Sequence, residues 1–131
     1  SQMDSGMFKP MQLAAVQALA QGPEWFSELN AGYAERKVAA GRIFDLLSVD
    51  YDHDSSGLFL WGHVRGDNAF LTGDGSASPG ERLSDRLLYD AGVFITPGFI
   101  FGENGRDYVR ISLCAKTEVL AEAENRINIC K

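Results

Sequence analysis

The chain has 131 residues and a mass of 14.3 kDa, and its composition is 45% hydrophobic and 23% charged residues. Such a chain is apolar enough to fold as one globular domain that buries roughly two thirds of its unfolded surface, which excludes a disordered protein. The 12 basic and 18 acidic residues give a net charge of -6, which argues against a nucleic-acid-binding surface.

The first part of the chain predicts two helices. "MQLAAVQALA", residues 11–20, follows Pro10 and predicts a short helix that is buried on almost all sides. Gly22 and Pro23 end it, and apolar residues at intervals of three or four then predict a second helix over residues 23–48. At about 40 Å this helix is longer than a compact domain of this size is wide, so part of it should pack on something outside the domain.

The rest of the chain predicts a small sheet and two further helices. Strands are expected at residues 58–64, 93–98 and 107–114, helices at 81–92 and 116–130, and glycine-rich loops or turns at 50–57, 66–80 and 101–105. The fold class is therefore α/β (α+β), with a small mixed sheet covered by helices in the order α-α(long)-β-α-β-β-α. No internal boundary is visible, so residues 1–131 are predicted to form a single domain.

Cysteine usage and the absence of targeting patterns bear on the compartment. Cys114 and Cys130 are too few for a disulfide framework and lack the CxxC spacing of zinc and redox sites. No apolar run reaches the roughly 18 residues of a membrane span, and the N-terminus lacks the pattern of a signal peptide. We therefore expect a cytoplasmic protein with reduced cysteines and no membrane partner. The chain opens without an initiator methionine, so we also expect it to be a fragment.

A metal site is not predicted. "DYDHD", residues 50–54, has the spacing that opens a calcium-binding loop, but the sixth and twelfth positions are Ser55 and Trp61 where glycine and glutamate are needed. His53 and His63 are ten residues apart on different elements, which does not match the spacing of a zinc ligand pair.

Arg110 is the strongest candidate for a functional residue. In an extended strand, alternate residues from Val109 to Leu113 face the core, whereas Tyr108, Arg110 and Ser112 share the other face. A guanidinium on a rigid strand can hold a carboxylate through two parallel hydrogen bonds. The same face can equally be solvated, with Arg110 paired to a neighbouring helix. The residues alone leave these two interpretations open.

A longer stretch, "SDRLLYDAGVFITPGFIFGENGRDYVRISLC" at residues 84–114, resembles the C-terminal small domain of class I/II aminotransferases, the fold-type-I enzymes that use pyridoxal phosphate. "MDSGMFKPMQLAAVQAL", "LNAGYAERK" and "GLFLW" occur in the same order in that family, so the resemblance covers essentially the whole chain. Its most specific parts are "ITPG", "FGENG" and "YVRISLC". The resemblance implies that residues 1–131 are the small domain of a transaminase whose cofactor-binding large domain is absent.

The resemblance also implies roles for residues and partners. The arginine that matches Arg110 binds the α-carboxylate of the amino-acid or 2-oxo-acid substrate in this family. The cofactor lysine belongs to the large domain, and none of Lys9, Lys37, Lys116 and Lys131 lies in its motif. Pyridoxal phosphate, the large domain and a second subunit of a homodimer are thus implied for the full-length enzyme, with no catalytic or cofactor-binding residue in this chain. The alternative is a free-standing, non-catalytic carboxylate-binding or interaction module with the same fold.

Overall fold

The computed structural model describes residues 6–71 and 75–130, and these residues form four α-helices and one four-stranded sheet. The helices are α1 (Lys9–Leu19), α2 (Pro23–Leu46), α3 (Pro79–Arg86) and α4 (Thr117–Ile129). The strands are β1 (Asp50–Tyr51), β2 (Phe59–His63), β3 (Thr96–Pro97) and β4 (Tyr108–Ser112). The α/β class is confirmed. Residues 72–74 of the predicted loop lie outside the described residues.

The chain divides into two compact units, Ser1–Gly32 and Tyr33–Lys131, and α2 runs through the point of division. In the first unit, Pro10 lies in the first turn of α1. Proline lacks an N–H, but N–H groups in the first turn have no acceptor within the helix, so no helix hydrogen bond is lost. The assignment of residues 1–131 to a single domain remains a prediction.

The prediction that α1 is buried on almost all sides is wrong for the described residues. None of its residues is buried, and Met11 and Val16 are 59% and 60% exposed. Alanine and leucine favour a helix through their conformational preferences alone, whereas burial needs a facing apolar surface. The described residues of this unit place no such surface over α1.

The sheet has the order β1-β2-β4-β3, and every pairing among the described residues is antiparallel, where the sequence predicted a mixed sheet. A parallel pair needs a crossover of a dozen or more residues, whereas β3 and β4 are joined by two short 3-10 turns, Gly98–Phe101 and Glu103–Gly105. β4 lies in the interior of the sheet, paired with both β2 and β3.

Three predicted elements have different limits in the structure. The predicted loop at residues 50–57 begins with β1, which pairs with the end of β2. The predicted strand 93–98 pairs only at Thr96 and Pro97. The predicted helix 81–92 is α3 followed by a π-helical turn, Leu87–Ala91, which ends at Gly92 in the left-handed conformation that glycine adopts without strain.

The core of the second unit lies on one face of the sheet, which we call the core face. Its largest fully buried apolar side chains come from α2, α3, α4, the strands, and the residues directly after α2 and β2: Phe44, Ile43, Leu47, Leu60, Leu83, Ile127, Val64 and Val109. Gly62 also faces this core, and a glycine is needed there because Phe44 and Val49 occupy the space that a Cβ would fill. Burying these side chains is the main source of stability for the sheet that carries Arg110.

Candidate functional site

The opposite side of the sheet, which we call the outer face, carries Arg110. Directly paired residues of an antiparallel sheet point to the same side, so the register places Trp61, Arg110 and Thr96 in one row across β2, β4 and β3. Along β4, Val109 and Ile111 are buried while Arg110 is half-buried. The predicted alternation along this strand is confirmed.

Aromatic rings surround the guanidinium of Arg110. Its central carbon Cζ lies 4.1 Å from the ring centre of Phe59, 4.2 Å from that of Phe101 and 5.7 Å from that of Trp61. Trp61 and Phe101 also pack edge to face, with ring centres 5.4 Å apart. A cation over the face of an aromatic ring is attracted by the electron density of that face. The rings of Phe59, Trp61 and Phe101 therefore pack around the positively charged guanidinium of Arg110.

The guanidinium of Arg110 forms no hydrogen bond or ion pair with residues 6–71 and 75–130. Other arginines of the chain do find partners, and these pairs are Arg42–Glu124, Arg65–Asp50, Arg86–Asp90, Arg106–Glu103 and Arg126–Glu122. Within the described chain, the interpretation of Arg110 as an ion-pair partner of a neighbouring helix is wrong. Its N–H donors remain open to a ligand.

The connection between β3 and β4 brings Phe101 to Arg110. The backbones of Gly98 and Gly105 approach so closely that a Cβ on either residue would collide with the other. Gly102, between the two 3-10 turns, has a φ of 125°, which side-chain-bearing residues rarely adopt. Glycines at these positions therefore permit the sharp reversal that carries Phe101 onto the outer face.

A cavity of about 400 Å³ adjoins the same strand, between β4, the segment that leads into β3, and α4. Its lining is mainly apolar, with Ile95, Val119 and Leu120 among the residues, and Arg110 lies at its border. Arg126 also lines the cavity, but its Nε donates to the carboxylate of Glu122 at 2.8 Å.

The residues considered for metal binding are separated by the structure. The Asp52 carboxylate accepts a hydrogen bond from the backbone of Asp54, and Asp50 faces Arg65. The ring of His53 packs on Tyr51 and that of His63 on Tyr108. In the part of the chain that is described, no three His, Cys, Asp or Glu side chains are grouped so that they could hold a metal ion.

Cys114 and Cys130 are both exposed and free, and the Cys130 thiol lies 3.1 Å from the carbonyl oxygen of Asp90. Among the described helices, none combines the length and the apolar character needed to cross a membrane.

Comparison with known proteins identifies relatives of the whole chain. It is 32% identical over 126 residues to LL-diaminopimelate aminotransferase of Maridesulfovibrio salexigens, and 35% identical over 123 residues to transaminase BacF of Bacillus subtilis. These matches cover 96% and 93% of the chain but only 30% and 29% of the relatives. No model of a protein family matches the chain.

Solved structures agree with these relatives. Substrate-bound BacF from Bacillus subtilis matches 95% of the chain with a TM-score of 0.73 and 32% identity, over 30% of its own length. An aminotransferase from Staphylococcus aureus matches 98% of the chain with a TM-score of 0.74 and 25% identity, over 32% of its length. The chain corresponds to the C-terminal small domain of fold-type-I aminotransferases. The resemblance seen in the sequence is confirmed, and the chain spans about 30% of the length of these relatives.

The described residues of the chain do not fit a pyridoxal phosphate site. The cofactor needs a lysine that can form a Schiff base, and among the described residues neither Lys9 nor Lys37 nor Lys116 lines the cavity beside Arg110. Lys37 instead donates to the carbonyl oxygen of Ser55, Lys9 and Lys116 are exposed, and Lys131 lies outside the described residues.

The aromatic residues of the site were missed by sequence reasoning. Alternation in "LFLWGHV" places Phe59 and Trp61 on one side of β2, but only the register with β4 reveals that this side also carries Arg110. The "FGENG" stretch was interpreted as a turn alone, although it begins with Phe101.

Proposed function

We propose that this chain is the C-terminal domain of a pyridoxal-phosphate-dependent aminotransferase that transfers an amino group between an amino acid and a 2-oxo acid. In this proposal Arg110 binds the α-carboxylate of the substrate. The observation that carries it is a guanidinium on the outer face of the sheet that has aromatic neighbours but no anionic partner among the described residues.

The geometry of arginine suits this role. Its planar fork presents parallel N–H donors that match the two oxygens of a carboxylate, and each charge-assisted hydrogen bond contributes about 1.5 to 3 kcal/mol. Because β4 is an interior strand, the backbone that carries Arg110 is held by neighbours on both sides. A carboxylate bound there has a fixed position, which orients the α-carbon of the same molecule for proton transfer.

The remaining components of the active site are proposed to lie in other parts of the protein. The large domain would bind pyridoxal phosphate and supply the lysine, and a second subunit would complete a cytoplasmic homodimer. The small domain would close over bound substrate and exclude water. This chain spans only about 30% of its aminotransferase relatives, which supports the proposal that a further, larger part of the protein lies outside it.

Substitution of Arg110 in the full-length protein tests the proposal. Arg110→Ala should lower kcat/KM for the amino-acid substrate by about 10² to 10³-fold, because it removes the charge-assisted pair. Arg110→Lys should recover only part of the loss, since lysine keeps the charge but lacks the fork. Arg106→Ala is the matched control, because Arg106 is four residues away and already paired with Glu103. Near-normal kinetics of Arg110→Ala would remove Arg110 from the site.

The upstream coding sequence separates this proposal from a free-standing carboxylate-binding module. A large domain that contains a cofactor lysine supports the enzyme, whereas a start codon directly before Ser1 supports the module. Cofactor absorbance from the 131-residue chain alone would contradict the placement of the lysine in the large domain.

A further inference from the structure

Two phenyl rings from different elements approach the guanidinium of Arg110 at nearly the same distance. Phe59 comes from β2 and Phe101 from the 3-10 turn after β3, and their ring centres lie 4.1 and 4.2 Å from Cζ. We infer that Phe59 and Phe101 are positioning residues, which hold the guanidinium of Arg110 in the orientation that receives the substrate carboxylate. This inference rests on the proposed role of Arg110.

Aromatic faces suit this task better than acidic side chains would. A ring attracts the cation through its face but accepts none of the strong hydrogen bonds that a carboxylate would accept. The N–H donors of a guanidinium lie in its own plane, so contact with ring faces leaves them available to a ligand.

Fixing the side chain in advance also favours binding. A free arginine side chain loses much rotational freedom when it is ordered by a ligand, and this loss weakens binding. The rings confine the guanidinium before the ligand arrives, so less side-chain conformational entropy is lost when the ligand binds. We therefore expect the protein with both rings to have a lower KM for its substrate than variants that lack a ring, with little difference in kcat.

Both rings have a structural basis for their own positions. Phe59 pairs with Ser112, which makes it the diagonal neighbour of Arg110 on the same face of the sheet. Phe101 is held by its edge-to-face contact with Trp61 and by the close backbone approach of Gly98 and Gly105. The two rings are therefore parts of the folded sheet and its adjoining turn.

Leucine variants of the full-length protein test the inference, because leucine keeps an apolar side chain but has no aromatic face. Phe101→Leu and Phe59→Leu should each raise KM for the amino-acid substrate about three- to tenfold, with kcat changed less than about twofold. The inhibition constant of butanoate, a carboxylate without an amino group, should rise by the same factor. Phe101→Tyr, which restores the aromatic face, should return both values to about the original level.

A double-mutant cycle separates positioning from general structural damage. In the Arg110→Ala background, Phe101→Leu should raise KM no further, because the guanidinium that it orients is gone. Phe99→Leu is the control, since Phe99 lies in the same 3-10 turn and is 41% exposed. Its KM should stay unchanged.

Two results would overturn the inference while leaving the proposed function intact. One is an equal rise in KM from Phe101→Leu with and without Arg110, and the other is no rise in either leucine variant although Arg110→Ala is strongly impaired. If Arg110→Ala itself has normal kinetics, the proposed function fails first.

Discussion

The two faces of the sheet use the same strands for different purposes. On the core face, Leu60 and Val109 are fully buried, and Gly62 carries no side chain because its neighbours fill the space. On the outer face, Trp61 lies between Leu60 and Gly62 in the sequence and Arg110 directly follows Val109, yet both remain accessible. Adjacent residues of one strand therefore separate into those that stabilise the fold and those available to a ligand. Substitutions should show the same separation.

The largest expected effect on stability comes from the core face. Leu60→Ala should lower the free energy of unfolding of the chain by about 2 to 5 kcal/mol, because it removes a side chain that is 1% exposed and leaves a cavity. Urea denaturation measures this loss. Val38→Ala, which shortens an apolar side chain on α2 that is 62% exposed, is the control and should change stability by less than about 0.5 kcal/mol. A loss below about 1 kcal/mol for Leu60→Ala would contradict the assignment of this face as the core.

An added methyl group on the core face should also destabilise the chain, by a smaller amount. In Gly62→Ala the new Cβ would collide with Val49 and Phe44, and such overpacking costs about 1 to 3 kcal/mol. The shift of the urea midpoint measures it. Gly66→Ala is the matched control, because nothing lies near the position of its Cβ. Equal midpoints for the two variants would show that the core face has room at Gly62.

Much of this fold was predictable from local patterns. The helix periodicity of residues 23–48, the strand at Phe59–His63 and the alternation along β4 all follow from the chemistry of neighbouring residues. β1 was missed because it has only two residues and lies in an acidic, turn-like segment. The burial of α1 was wrongly predicted, because it depends on a facing surface that helix propensity does not report.

The site was predictable to a lesser degree, for a related physical reason. Alternation identified Arg110 as a candidate because it depends only on the strand that carries the residue. Its two nearest rings come from elsewhere: Phe59 through the register of β2 against β4, and Phe101 through the backbone packing of Gly98 and Gly105. Register and packing of this kind are tertiary properties, so a single sequence does not show them.

The smallest expected change in stability comes from Arg106, an exposed arginine that can be compared with Arg110. Arg106 forms an exposed ion pair with Glu103 at 3.1 Å, and exposed pairs contribute little because water and salt screen them. Arg106→Ala should therefore change the free energy of unfolding by about 0.5 kcal/mol or less, as measured by urea denaturation. It should leave the kinetics of the full-length protein unaltered.

The Arg110→Ala variant should likewise unfold at nearly the same urea concentration as the unsubstituted protein, yet it should lose activity. If the two variants instead lose stability and activity in parallel, Arg110 supports the fold in the same way as its neighbour, and the outer face holds no specialised carboxylate site.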